Sequence, residues 1–187
     1  YGSLRFYDRK EIKDVLAYLR LMVNPHDEIS LRRATTVPTR GIGDASVAEL
    51  ERAATQQGIS LFDACLQAEE LPLSGRSKGK IRKFGELLAQ LRALSELLPL
   101  HEFVPQLLDL VGYWDYLESE KRAEGKEEQR KENVQEFINA VTAFAAESPE
   151  NTLSAFLENV ALVANVNDES DSSAVTLMTL HSAKGLE

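Results

Sequence analysis

The sequence predicts a mainly α fold: one helical body whose two ends are pieces of something else. Three observations carry this. Apolar residues recur at i, i+3, i+4 and i+7 through most of the chain, the spacing of a buried helix face. Asn, Pro and Gly interrupt those stripes where helices stop. One segment departs from the pattern: Ala174 to Leu180 is nearly all apolar or Thr and has no helical stripe, so it reads as a buried parallel strand. Such a strand needs cover on both faces and a sheet that the rest of the chain does not supply. The missing initiator methionine and the break inside a motif at Leu180 to Glu187 predict an excised piece of a longer protein.

Taken in order, Ser3 to Tyr7 reads as a short extended segment. Residues 10–23 read as a helix, with Ile12, Val15, Leu16, Leu19, Met22 and Val23 on one stripe and Asn24-Pro25 as its stop. A short helix follows over 29–34. Val37 to Asp44 holds a proline and two glycines and reads as a tight turn. The next helix spans 45–57, with Asp44 as N-cap and Gly58 past its end. Ser60, with Asp63 three residues on, opens another in capping-box style. After a Pro72/Gly75 loop, a long helix is expected over 78–98 on the stripe Ile81, Phe84, Leu88, Leu91. Two shorter helices surround Gly112, at 101–111 and 113–122. Residues 127–146 and 152–163 form the last two, and 165–173 is polar enough to be a linker.

Composition bounds the function. Hydrophobic residues make up 43% and charged residues 27% of 187, an ordinary globular mix. No apolar stretch approaches the roughly 20 residues of a membrane span, and residues 1–13 are too polar for a secretory leader. Cys65 is the sole cysteine, which excludes an internal disulfide and fits a reducing, cytoplasmic setting. With only His26, His101 and His181 beside it, no zinc-ligand pattern exists, and no metal site is expected. The net charge is −9, but it is uneven: residues 94–187 hold 6 basic and 18 acidic residues, while residues 1–93 hold 15 and 12. The first half can therefore present a basic face to an anionic polymer.

Four patterns invite a functional reading, each beside a plainer one. In 37–44, Gly41 and Gly43 let the backbone approach a surface closely, the following helix offers unpaired N–H groups, and Arg40 adds a cation. This resembles a helix-hairpin-helix, which holds a DNA backbone without reading bases; the alternative is an ordinary helix connection with a glycine turn. Arg76, Lys78, Lys80, Arg82 and Lys83 put five cations into nearby positions. They either reach phosphates or form a solvated helix face, cations at a helix start being opposed by its dipole. Thr179 to Glu187 lies at the C-terminal end of the expected strand, where α/β folds place ligand chemistry, or is a plain strand-to-helix loop. Cys65 reads as a buried structural thiol, and Tyr113, Trp114 and Tyr116 as core aromatics that base stacking would compete for.

Those motifs carry a resemblance. Val175 to Glu187 (VTLMTLHSAKGLE) resembles motif V of the superfamily 1 DNA helicases of the UvrD/PcrA/Rep group. Leu4 to Asp14 (LRFYDRKEIKD) resembles their motif IVa, and Val37 to Gly43 (VPTRGIG) the GIG element of their accessory domain 2B. The resemblance implies that 26–169 is the helical 2B insertion and that 1–25 and 170–187 are edges of the second RecA-like α/β motor domain. It implies duplex contact by Arg40, Gly41, Ile42 and Gly43; Lys78 and Lys80 of the basic run are DNA-contact candidates on charge alone. It also implies single-strand contact by Arg9, Thr179 and His181, and proximity of Lys184, Gly185 and Glu187 to nucleotide. The whole helicase would use ATP and Mg and act 3′-to-5′ in DNA repair or replication. This chain has no G-x-x-x-x-G-K-[ST] loop, no acidic Mg-binding pair after a strand and no downstream arginine motif, so alone it is expected to bind no cofactor and hydrolyse nothing. Two other functions compete: a helical protein-docking module using the acidic half, and a stand-alone helix-hairpin-helix repair factor, against which the orphan strand argues.

Overall fold

A computed structural model describes residues 6–119, 127–148 and 150–168. Among them the chain is mainly helical, as its stripes predict. The elements are α1 (Lys10–Val23), α2 (Glu28–Thr36), α3 (Asp44–Gln57), α4 (Leu61–Leu66), α5 (Gly75–Leu97), α6 (Leu100–Val111), α7 (Tyr113–Ser119), α8 (Glu127–Glu147) and α9 (Leu153–Asp168). The strand expected at 174–180 lies outside the described residues, as does most of the segment expected to be extended at 3–7. Phe6 and Tyr7 form a turn.

α1 is the centre. It packs against α2, α5, α8 and α9. Its stripe is wider than one face: Ile12, Val15, Leu16, Ala17, Tyr18, Leu19 and Leu21 are all buried. A helix covered on most sides must be apolar all round or find partners for its polar groups. Glu11 and Asp14 are the polar exceptions, and both are buried. Asp14 accepts from Arg33 Nε at 2.7 Å and from the Tyr113 hydroxyl at 2.9 Å. Burial, aided by the Asp14 charge, pushes the Tyr113 phenol far above its ordinary range, so it stays a proton donor. Asn133 of α8 donates to Glu11 Oε1. α1 and the later helices share one apolar cluster.

Elsewhere α6 meets α5, α7 and α8, and the large buried rings Phe62, Phe84, Phe103, Phe137 and Phe156 fill the layers between helices. Each contributes roughly 1.5–3 kcal/mol of burial. Gly85 on α5 faces the α4 backbone so closely that a Cβ would lie 2.1 Å from the Cys65 carbonyl oxygen. Cys65 itself is buried, and burial pushes its thiol up to about 12, as a structural thiol requires.

Three local expectations shift. Gly43, not Asp44, is the N-cap of α3, and Asp44 stands in the first turn. α5 starts at Gly75, three residues early, so the basic run sits on the helix. α9 continues through Asp168, beyond the expected linker start at 165. Polar composition there is compatible with a helix end as well as with a loop. Two caps match their expectations: Gly58 is left-handed at φ 66° after α3, and Ser60 Oγ accepts from the Asp63 amide at 3.0 Å.

Candidate nucleic-acid interface

The turn from 37 to 43 joins α2 to α3 and is tied down from beneath. The Tyr18 hydroxyl on α1 lies 2.7 Å from the Val37 carbonyl and 2.9 Å from the Ala34 carbonyl, bridging the end of α2 and the start of the turn. Arg40 donates to the carbonyls of Ala34 at 3.0 Å, Pro38 at 2.8 Å and Val111 at 3.3 Å. Ile42 is buried in the core. The Val37-Pro38 bond is cis. Gly41 and Gly43 are left on the outside. Gly41 has φ 68°, the left-handed region where a side chain is strained. Gly43 is extended, and a Cβ there meets nothing within 4 Å. No Cβ clash therefore demands glycine there. What it leaves is open space over the α3 N-terminus.

That N-terminus is open in a second sense. The Gly43 carbonyl accepts from the Ser46 and Val47 amides, and no side chain caps the helix. The amides of Asp44 and Ala45 have no partner among the described residues, which is the usual state of the first turn and the usual attraction for an anion. The neighbouring start of α5 is different. There Glu49 accepts from the Ser74 amide at 2.6 Å and from the Ser74 hydroxyl at 3.0 Å. The Ser74 amide, with help from the Ser77 hydroxyl, holds the Glu49 carboxylate below its usual range. Ser77 in turn donates to Ser46 at 3.0 Å, which fixes α5 beside the start of α3.

The basic run divides by helical phase. Arg76, Lys80 and Lys83, at i, i+4 and i+7, share an exposed face. Lys80 Nζ donates to the Gly41 carbonyl at 2.6 Å, so this stripe abuts the turn. Arg76 and Lys83 are exposed and have no partner among the described residues. Lys78 and Arg82 point the other way. Lys78 donates to the Glu69 carbonyl at 2.9 Å, and Arg82 pairs with Glu69 and Glu86. Of the cations singled out from sequence, then, Lys80 reaches the turn from the exposed face and Lys78 does not. Arg76 and Lys83 join the site, and the signal that finds them is their phase relative to Lys80 once α5 starts at Gly75.

Arg9 makes its contacts with other elements. It precedes α1, its guanidinium bonds to Asn133 Oδ1, it approaches Glu136 at 3.6 Å, and it lies 5.1 Å over the Phe6 ring. Thr179, His181, Lys184, Gly185 and Glu187 are outside the described residues. Among the described residues no group of three His, Cys, Asp or Glu side chains is placed to hold a metal, and no helix is long and apolar enough to cross a membrane.

The whole chain, residues 1–187, matches the family described as UvrD-like helicase C-terminal domain. It is 42% identical over its full length to an ATP-dependent DNA helicase PcrA of Staphylococcus aureus and 38% identical to the PcrA of Bacillus subtilis. A Staphylococcus epidermidis PcrA is 40% identical. In each case the chain spans 26% of the relative's length.

Proposed function

This chain belongs to the UvrD-like helicase C-terminal domain family, and on that premise we propose that it is the duplex-gripping and regulatory region of an ATP-dependent 3′-to-5′ DNA helicase of repair or replication. Residues 26–169 act as the helical 2B insertion, with 1–25 and 170–187 as edges of the second RecA-like domain. The observation that carries the reading is the placement of Gly41 and Gly43 on the outside of a braced turn, above an uncapped helix start and beside three exposed cations. Backbone amides, a close glycine approach and lysine or arginine charge are what a sugar-phosphate backbone recognises without base readout. The charge map supports it, since the excess of acid lies in the other half, where 18 acidic residues stand against 6 basic ones.

ATP and Mg belong to the longer protein in this reading. The described residues supply neither a phosphate-cradling loop nor a carboxylate cluster suited to Mg, so no step of hydrolysis is assigned to them. Lys184, Gly185 and Glu187 are proposed to lie near the nucleotide, and Arg9, Thr179 and His181 near the single strand. The cytoplasm is the proposed location.

The test is a fluorescence-anisotropy titration of the 187-residue chain onto two duplexes of unrelated sequence, with Gly43→Val alongside. The expected result is weak, equal affinity for both duplexes and a several-fold loss in Gly43→Val beside a modest loss of thermal stability, because a Cβ there meets nothing within 4 Å while valine is a poor N-cap for α3. Parental affinity in Gly43→Val would rule out the close glycine approach. Protein docking through the acidic half is the second reading, and it gains if neither duplex binds at low salt.

A further inference from the structure

We infer that Arg40 is the positioning residue of this interface: it shapes the turn from within and does not touch phosphate. The inference rests on the duplex-gripping reading and says how the gripping loop is held. Arg40 Nη1 reaches the carbonyls of Ala34 and Pro38, and Nη2 reaches that of Val111. These acceptors belong to the last turn of α2, the turn itself and the end of α6, which is 71 residues away in sequence. The guanidinium lies 5.7 Å from the Tyr18 ring centroid and 5.4 Å from that of Phe84. Three of its five N–H donors thus face protein carbonyls, and its planar group faces rings.

The chemistry favours this use of arginine. A last-turn carbonyl such as that of Val111 lacks an intrahelical donor, and a cation at a helix C-terminus is favoured by the dipole. The planar fork offers five N–H groups in fixed directions, so one side chain can hold three carbonyls on separate segments. A lysine has the charge without the fork or the flat face. Lys80 is the contrast: its ammonium is exposed and gives one hydrogen bond to the Gly41 carbonyl, which leaves donors for an incoming phosphate.

The experiment uses Arg40→Lys and Arg40→Ala in the 187-residue chain, with two readouts. Amide hydrogen exchange without DNA follows Ser46 and Val47, whose N–H groups bond to the Gly43 carbonyl at 2.9 and 3.1 Å. A loosened turn opens there more often, so both variants are expected to exchange about tenfold faster at those amides. Duplex affinity measured across salt concentrations is expected to fall in both variants with the parental log–log slope. Parental exchange rates in Arg40→Lys overturn the inference. So does restored binding in Arg40→Lys, or a slope reduced by about 0.9, the signature of one phosphate left without its cation. If Arg40→Ala fails to fold, Arg40→Lys decides alone. If no form binds duplex, the duplex-gripping reading fails while the exchange data still settle whether Arg40 braces the turn.

Discussion

Arg9 and the α5 stripe stand at opposite ends of a comparison. Both are positive charge near a motif that sequence associates with DNA. Around Arg9 and α1 the charges face protein partners: Arg9 engages Asn133 and, at an exposed edge, Glu136, Asn133 engages the buried Glu11, and Arg33 and Tyr113 converge on the buried Asp14. Around the 37–43 turn, Arg76, Lys80 and Lys83 face out. The inner region uses charge to join α1, α2, α7 and α8, and the burial of Glu11, Asp14 and Asn133 makes loss of one of these costly. The outer region keeps charge hydrated, where it contributes little to stability and remains open to a polyanion. The same residue types therefore predict opposite consequences when removed.

The largest expected effect is in the inner region. Asp14→Ala strips Arg33 and Tyr113 of their shared acceptor; a broken buried ion pair costs about 3–5 kcal/mol, and the lower end applies here because the Arg33 side chain is 35% exposed and Tyr113 keeps the Glu11 carbonyl. Urea denaturation should show the midpoint falling sharply, and a midpoint within error of the parent would mean that the inner network is not the brace described. Next comes the α4–α5 packing that aligns the stripe. In Gly85→Ala the new methyl lies 2.1 Å from the Cys65 carbonyl oxygen, a backbone atom, so α5 must shift. Overpacking of this kind costs about 1–3 kcal/mol, read in the same denaturation experiment. The smallest effect sharpens the outer region. Gly41→Ala strains a left-handed residue by about 1–2 kcal/mol, while Gly43→Ala, free of any clash, should cost only the about 0.5–1 kcal/mol of a weaker N-cap. Equal effects on melting temperature would remove the distinction between a glycine the fold needs and a glycine it leaves open.

How much of this was legible in sequence follows from range. The helices were, because periodicity is local: the Ile12 to Val23 stripe gives α1 and the Ile81 to Leu91 stripe gives α5, with ends displaced by a few residues. The turn was legible too, since Pro38, Gly41 and Gly43 declare it. The burial of Glu11 and Asp14 was not, because their partners Asn133 and Tyr113 are 122 and 99 residues away. Arg40 read as an outward cation for the same reason: nothing near it in sequence announces the Val111 carbonyl. The basic run was visible as composition, but its division into a stripe and a set of internal pairs needed the helix start at Gly75 and the position of Glu69. The strand and motif at 174–187 lie outside the described residues.

The face made by the 37–43 turn and the α5 stripe is the proposed meeting place of duplex DNA and this chain. Its most direct test is the salt dependence of duplex binding by the 187-residue chain and by a variant carrying Arg76→Ala, Lys80→Ala and Lys83→Ala together. The expected result is a negative log–log slope in the parent and, in the variant, a slope shallower by about 0.9 for each phosphate that one of these cations neutralises, at nearly unchanged stability. A variant with parental affinity and parental slope would contradict it.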